Sequence, residues 1–158
     1  MGPTTELRRV LEQRFSSRLI ALGFRVDTAH QPMSTVFRRR VGDRVEMLDV
    51  TWDKYGRPRF RLTFGTCPAA GLAIGGRTFP PDEVLPGWCP DAGNLQRGRG
   101  ASWSFRQDAT WLQRLLGRSR LCPADAVADD ASELVPELER YWENGEVGPH
   151  LRFWHPRR

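Results

Sequence analysis

Apolar residues recur at three- and four-residue steps through the first part of the chain: Leu7, Val10, Leu11, Phe15, Leu19 and Leu22. That spacing puts one apolar stripe on a helix, with Arg8, Arg9, Arg14 and Arg18 on the solvated side. The pattern predicts a helix over 6–23, capped by the hydroxyl of Thr4 or Thr5 and stopped at Gly23, where a left-handed residue is wanted. Phe24 then folds back onto the last turn.

Between residues 34 and 64 the period changes from helical to alternating, which predicts a β-meander. Gly42-Asp43 is a two-residue hairpin loop that matches the twist of the flanking strands. Closing it between Val41 and Arg44 sets Arg39 opposite Glu46 and Phe37 opposite Leu48. A second turn at Lys54–Pro58 sets Trp52 opposite Phe60, Val50 opposite Leu62 and Leu48 opposite Phe64. One face then collects Phe37, Leu48, Val50, Trp52, Phe60, Leu62 and Phe64, and the N-terminal helix is the nearest cover for it. The other face carries Arg38, Arg40, Arg59 and Arg61 with Asp49, Thr51, Asp53 and Thr63. The expectation is that Trp52, Leu62 and Phe64 are buried while Arg38, Arg40 and Arg61 are mostly exposed.

From residue 65 to 107 prolines and glycines break the periodicity, predicting irregular loops and short strands, with a strand at Ser102–Arg106. Trp88 and Cys89 are expected to anchor this stretch. Residues 108–144 predict two helices. The first is capped by Asp108, turns Trp111, Leu112, Leu115 and Leu116 inward, and stops at Gly117. Residues 118–130 connect it to the second, which runs from about Ser132 to Asn144 with Pro136 in its first turn. Residues 145–158 form a tail in which Leu151, Phe153 and Trp154 dock and Pro156-Arg157-Arg158 fray. The fold class is α+β in a single domain over 1–158: an antiparallel meander of three or more strands on an N-terminal helix, with two further C-terminal helices.

Composition narrows the function classes more than it selects one. The chain has 158 residues, 39% hydrophobic and 27% charged, so it can build a core without a disulfide or metal. No apolar run approaches the ~20 residues of a membrane span, and no charged-then-apolar leader opens the chain. Formal net charge is +5, from 24 basic residues of which only Lys54 is a lysine. The front is basic and the end acidic: residues 1–65 carry 13 basic and 7 acidic groups, residues 121–158 carry 4 and 8. Such asymmetry suits attraction within the fold or to an acidic partner. Cys67, Cys89 and Cys122 lack any C-x-x-C pairing and read as free thiols of a cytoplasmic protein. His30, His150 and His155 are not spaced with them for zinc, so neither a metal site nor a cofactor is expected.

Candidate chemistry is sparse. Gly71–Thr78 imitates a phosphate-binding loop, but Arg77 stands where lysine belongs and Phe79-Pro80-Pro81 prevents the helix that must follow. No nucleophile elbow or acid–base pair is legible. The enzyme reading ranks third; it places a site in the 65–100 segment, on Asp82, Glu83, Cys89 and Asp91 beside Trp88. Arg38, Arg40, Arg59 and Arg61 are the candidate partner-binding residues. A solvated face whose arginines pair internally with Asp49 and Asp53 is the first reading; as a contact they suit an acidic, toxin-like protein before the phosphates of nucleic acid, because the meander's aromatics point to the core rather than outward for base stacking.

Phe15, Leu19, Leu22-Gly23-Phe24, Phe37-Arg38-Arg39 before the Gly42 turn, Val45–Trp52 and Phe60-Arg61-Leu62-Thr63-Phe64-Gly65 together carry a resemblance. They resemble an uncharacterised bacterial family of small α+β proteins known only as a domain of unknown function. The likeness lies mainly in residues 1–65. It implies an α+β fold and, at fold level, an interaction module of the kind that immunity or antitoxin proteins represent.

Overall fold

The computed structural model describes residues 2–98, 103–117 and 120–155. The chain opens on α1 (Pro3–Leu11), passes through one π-helical turn (Glu12–Ser16) and continues as α2 (Ser17–Ala21). The start lies three residues before the expected Glu6, because Pro3 at the first helical position brings a preset φ and needs no amide partner. Neither threonine caps the helix. Gly2 occupies the cap position without a side-chain bond, and the Thr4 hydroxyl instead donates to the Gly56 carbonyl at 2.5 Å. The stop is as expected. Gly23 takes φ 92°, its amide donates to the Ile20 carbonyl and that of Phe24 to Leu19, so the paired bonds of a Schellman ending fold Phe24 into the core.

The strands are β1 (Arg25–Asp27), β2 (Ser34–Val41), β3 (Arg44–Trp52), β4 (Arg59–Pro68), β5 (Leu72–Ile74), β6 (Arg77–Phe79), β7 (Gly93–Leu95), β8 (Phe105–Arg106) and β9 (Leu151–Phe153). Seven form one antiparallel sheet in the order β1-β2-β3-β4-β7-β9, with β8 on β4 beside β7; β5 and β6 form a separate hairpin. The meander register is the one the turns dictate: Phe37 faces Leu48, Arg39 faces Glu46, Trp52 faces Phe60 and Val50 faces Leu62. Gly71–Thr78 lies within the β5–β6 hairpin, with Gly75-Gly76 at its turn. The tail contributes β9. Of the strand expected at Ser102–Arg106 only Phe105 and Arg106 are paired; Ser102 and residues 156–158 lie outside the described residues.

The inner sheet face is covered by α1, α2 and a long C-terminal helix, α4 (Ala124–Asn144). This helix begins eight residues before the expected Ser132, since Ala124, Val127, Ala128, Ala131 and Leu134 continue its buried stripe with small side chains. Pro136 therefore lies deep inside it. Proline has no amide to offer the carbonyl four residues back, and the Arg18 guanidinium takes that place, donating to the Ser132 carbonyl at 2.9 Å.

A second core explains the glycine- and proline-rich middle. Val45, Met47 and Cys67 point away from the first core and are covered by Leu72, Val84 and Cys89, with Phe79 against them. Gly65 permits the approach: a Cβ there would stand 2.5 Å from the Pro86 carbonyl oxygen. Cys89 anchors the segment as expected. Trp88 does not; it is about half exposed and meets the Phe79 ring edge-on at 5.7 Å.

Candidate interaction surface

The second core splits the arginine-bearing face into a covered half and an open half. Arg38 falls in the covered half and is buried, contrary to expectation. Its Nη1 donates to the carbonyls of Pro81 (3.0 Å) and Val84 (2.6 Å), and its Nη2 pairs with Asp27 at 3.1 Å. The guanidinium is a strut that holds the 80–89 segment on the sheet, so it presents no donor to a partner. Arg59 is also engaged internally, donating Nε and Nη2 to Asp53 at 2.8 and 2.5 Å. Arg61 is half-buried, with its guanidinium 5.5 Å from the Trp103 ring centre. Arg40 alone of the four is exposed. The structure does not assemble them into one accessible cationic surface.

Asp49 lies on the open half, accepting from the hydroxyls of Ser34 and, at 3.1 Å, Thr51. Burial pushes its carboxyl up from the ordinary range, against those hydrogen bonds and the charges of Arg61 and His30. At Asp53 burial acts in the same sense but is outweighed by Arg59 and by the amides of Tyr55 and Arg57, so its pKa is lowered. The two aspartates oppose each other in pH dependence. Asp53 stabilises the fold above the unfolded carboxyl value of ~3.9, and that stability is lost as pH falls through its depressed folded value. Asp49 penalises the fold at neutral pH, and protonation relieves the penalty as pH falls through its raised value. Urea titrations of Asp49→Asn should show a higher midpoint than wild type at pH 7 and no difference below about pH 4. Asp53→Asn should show a lower midpoint at pH 7, converging on wild type in acid.

The loop groups of the enzyme reading do not form a site. Cys89 is buried among apolar side chains, and burial, with Asp91 and Cys67 nearby, pushes its thiol up to about 12, so it carries no thiolate near neutrality. Asp91 is engaged structurally, accepting from the Thr66 amide at 2.8 Å and the Tyr141 hydroxyl at 3.2 Å. Asp82 and Glu83 are exposed.

The surface that sequence reasoning missed is α3 (Trp111–Leu115). Trp111, Leu112, Leu115 and Leu116, expected to face the core, are exposed, Trp111 by 77% and Leu115 by 75%. Their inward place is already taken, because α1, α2 and α4 fill the inner sheet face. Asp108 is not the cap; it pairs with Arg106 at 2.9 Å, while Thr110 and Gln113 form a reciprocal capping box at 3.2 and 2.8 Å. The excursion is pinched at its neck. The Cys122 amide donates to the Gln107 carbonyl at 2.8 Å, the Gln107 side chain donates to the Cys122 carbonyl at 3.0 Å, and the Gln107 amide is tied to Pro58. A groove of about 750 Å³ runs beside the helix between Thr110 and Cys122. The sequence signal is electrostatic: from Ala109 to Ala124 there is no acidic residue and there are three arginines, Arg114, Arg118 and Arg120.

No family model matches the chain, and neither a curated protein nor a solved structure matches it significantly. Among the described residues no helix is long and apolar enough to cross a membrane.

Proposed function

We propose that this chain is a non-catalytic, cytoplasmic protein-binding module that inserts α3 into an apolar groove rimmed by carboxylates on an acidic partner. The carrying observation is the set of exposed apolar side chains on a short capped helix held out from the body by the Gln107–Cys122 neck. Apolar clusters of this kind are costly to leave in water and characteristically mark contact surfaces. Tryptophan and leucine at helical spacing supply the anchors of helix-in-groove recognition, and a stretch from Ala109 to Ala124 with arginines and no acidic residue favours an acidic rim. An immunity- or antitoxin-like role, in which the helix blocks a toxin's own groove, is one form of this reading. Nucleic-acid binding through the sheet has less support, since Arg40 is the only exposed arginine of that set and phosphate neutralisation draws on several.

Affinity purification from the native host tests the proposal, with wild type compared against a Trp111→Asp/Leu115→Asp variant. Both positions are solvated, so the variant should keep the wild-type circular dichroism and urea midpoint. Wild type should recover a stoichiometric acidic protein that the variant loses, with affinity falling at least 100-fold. Recovery of no stable partner, or of one that the variant retains, overturns the reading. Trp111-dependent flotation with anionic vesicles would replace it with a lipid surface.

A further inference from the structure

A cleft of about 460 Å³, sharing no lining residue with the groove beside α3, lies between the N-terminal helix and the β1–β2 corner. That size falls within the roughly 300–1,000 Å³ of small-molecule sites. Its floor includes Leu11, Phe37, Val50 and Trp52, side chains of the first core, and Ile20 and Val26 stand exposed at its lip. The helical wall includes Glu12 and Ser16 of the π turn, whose wider ring departs from the regular ladder. Single π turns inside helices recur at functional sites.

Arg8 supplies the polar recognition element. Its guanidinium lies 4.3 Å from the Trp52 ring centre, and Nη1 donates to the Pro32 carbonyl at 2.8 Å. It is half-buried, yet among the described residues no carboxylate pairs with it. Burial accordingly lowers its pKa, with no carboxylate among the described residues to offset it. A partly desolvated cation over an aromatic floor, beside exposed aliphatic side chains, is complementary to an anion with an apolar body. Glu12, exposed on the same rim, disfavours a second negative charge on the occupant.

We propose that this cleft binds a small amphipathic monocarboxylate, its carboxylate on the free edge of the Arg8 guanidinium and its hydrocarbon body over Ile20 and Val26. The site is separate from α3 and does not depend on the protein-binding reading.

Sodium decanoate below its micellar range is the probe, followed by calorimetry and by amide shifts of the labelled protein. Wild type should bind one decanoate per chain saturably, with shifts centred on Arg8, Ile20 and Val26. Arg8→Gln should weaken binding at least tenfold. Ile20→Trp, which fills the lip and leaves Arg8 in place, should abolish it; this second variant keeps the test valid if Arg8→Gln loosens Trp52. The Trp111→Asp/Leu115→Asp variant should bind decanoate as wild type does, which separates the cleft from adsorption on α3. Decylamine binding as tightly as decanoate, unchanged affinity in Arg8→Gln, or no saturable shift would each overturn the assignment.

Discussion

Arg39→Met should lower the free energy of unfolding by about 3–5 kcal/mol, the cost typical of breaking a buried ion pair from one side. Glu46 is 1% exposed and rests on two arginines: Arg39 at 2.6 Å and Arg44 at 2.8 Å. Arg39 also pairs with Glu139 on α4 at 2.8 Å, donates to the Leu22 carbonyl at 3.0 Å, and stacks on Phe24 at 4.5 Å. One guanidinium therefore joins β2, β3, the end of the N-terminal helix and α4. Burial alone would lower its pKa, but the bonds to Glu139 and Glu46 outweigh it and the pKa is raised, consistent with a charge held rather than tolerated. Methionine keeps much of the stem's volume and removes every one of those bonds, leaving Glu46 buried against Arg44 alone. Urea unfolding of Arg39→Met and Glu46→Gln measures the effect, and both should fall well below Arg40→Met, whose guanidinium is exposed. Equal midpoints for Arg39→Met and Arg40→Met would show that the network contributes nothing.

Arg39 and Glu46 were legible as a pair because turn chemistry and alternation are local. Gly42-Asp43 sets the register, and a slip of one residue would send Phe37 and Leu48 to the wrong face. The Gly23 stop was legible for the same reason: a left-handed position admits few residues. What the sequence hid depends on competition between distant segments for the same surface. α3 has a core-facing spacing, yet α4 already occupies the inner face through alanines that a hydrophobicity pattern under-weights. Arg38 and Arg40 sit two residues apart on one strand face, and only the arrival of Pro81 and Val84 makes the first a strut and leaves the second in water. The candidate surface was thus less legible than the fold. It consists of residues the fold did not use, and apart from the charge bias of 109–124 they stand out only after the core has been allotted.

That allotment can be tested at Gly65, where the second core meets the sheet. Valine is a better strand former than glycine, so on local propensity Gly65→Val should stabilise β4. The packing predicts the reverse. A Cβ at this position would lie 2.5 Å from the Pro86 carbonyl oxygen and 3.0 Å from the Cys89 Cβ, and neither is the end of a flexible side chain. Overpacking against backbone costs about 1–3 kcal/mol, and valine's two further methyl groups place this site at the upper end. The 80–89 segment should lift from the sheet, taking Val84 and Cys89 off Met47 and Cys67 and withdrawing the carbonyls that hold Arg38. Thiol titration reads this directly. Wild type should offer one rapidly reacting cysteine, exposed Cys122, with Cys67 and Cys89 protected by burial. Gly65→Val should add two reactive thiols while far-ultraviolet circular dichroism persists, because the first core lies on the other face of the sheet and keeps its helices. A variant that retains one reactive thiol and the wild-type midpoint would show that the middle segment is not packed on the sheet through Gly65.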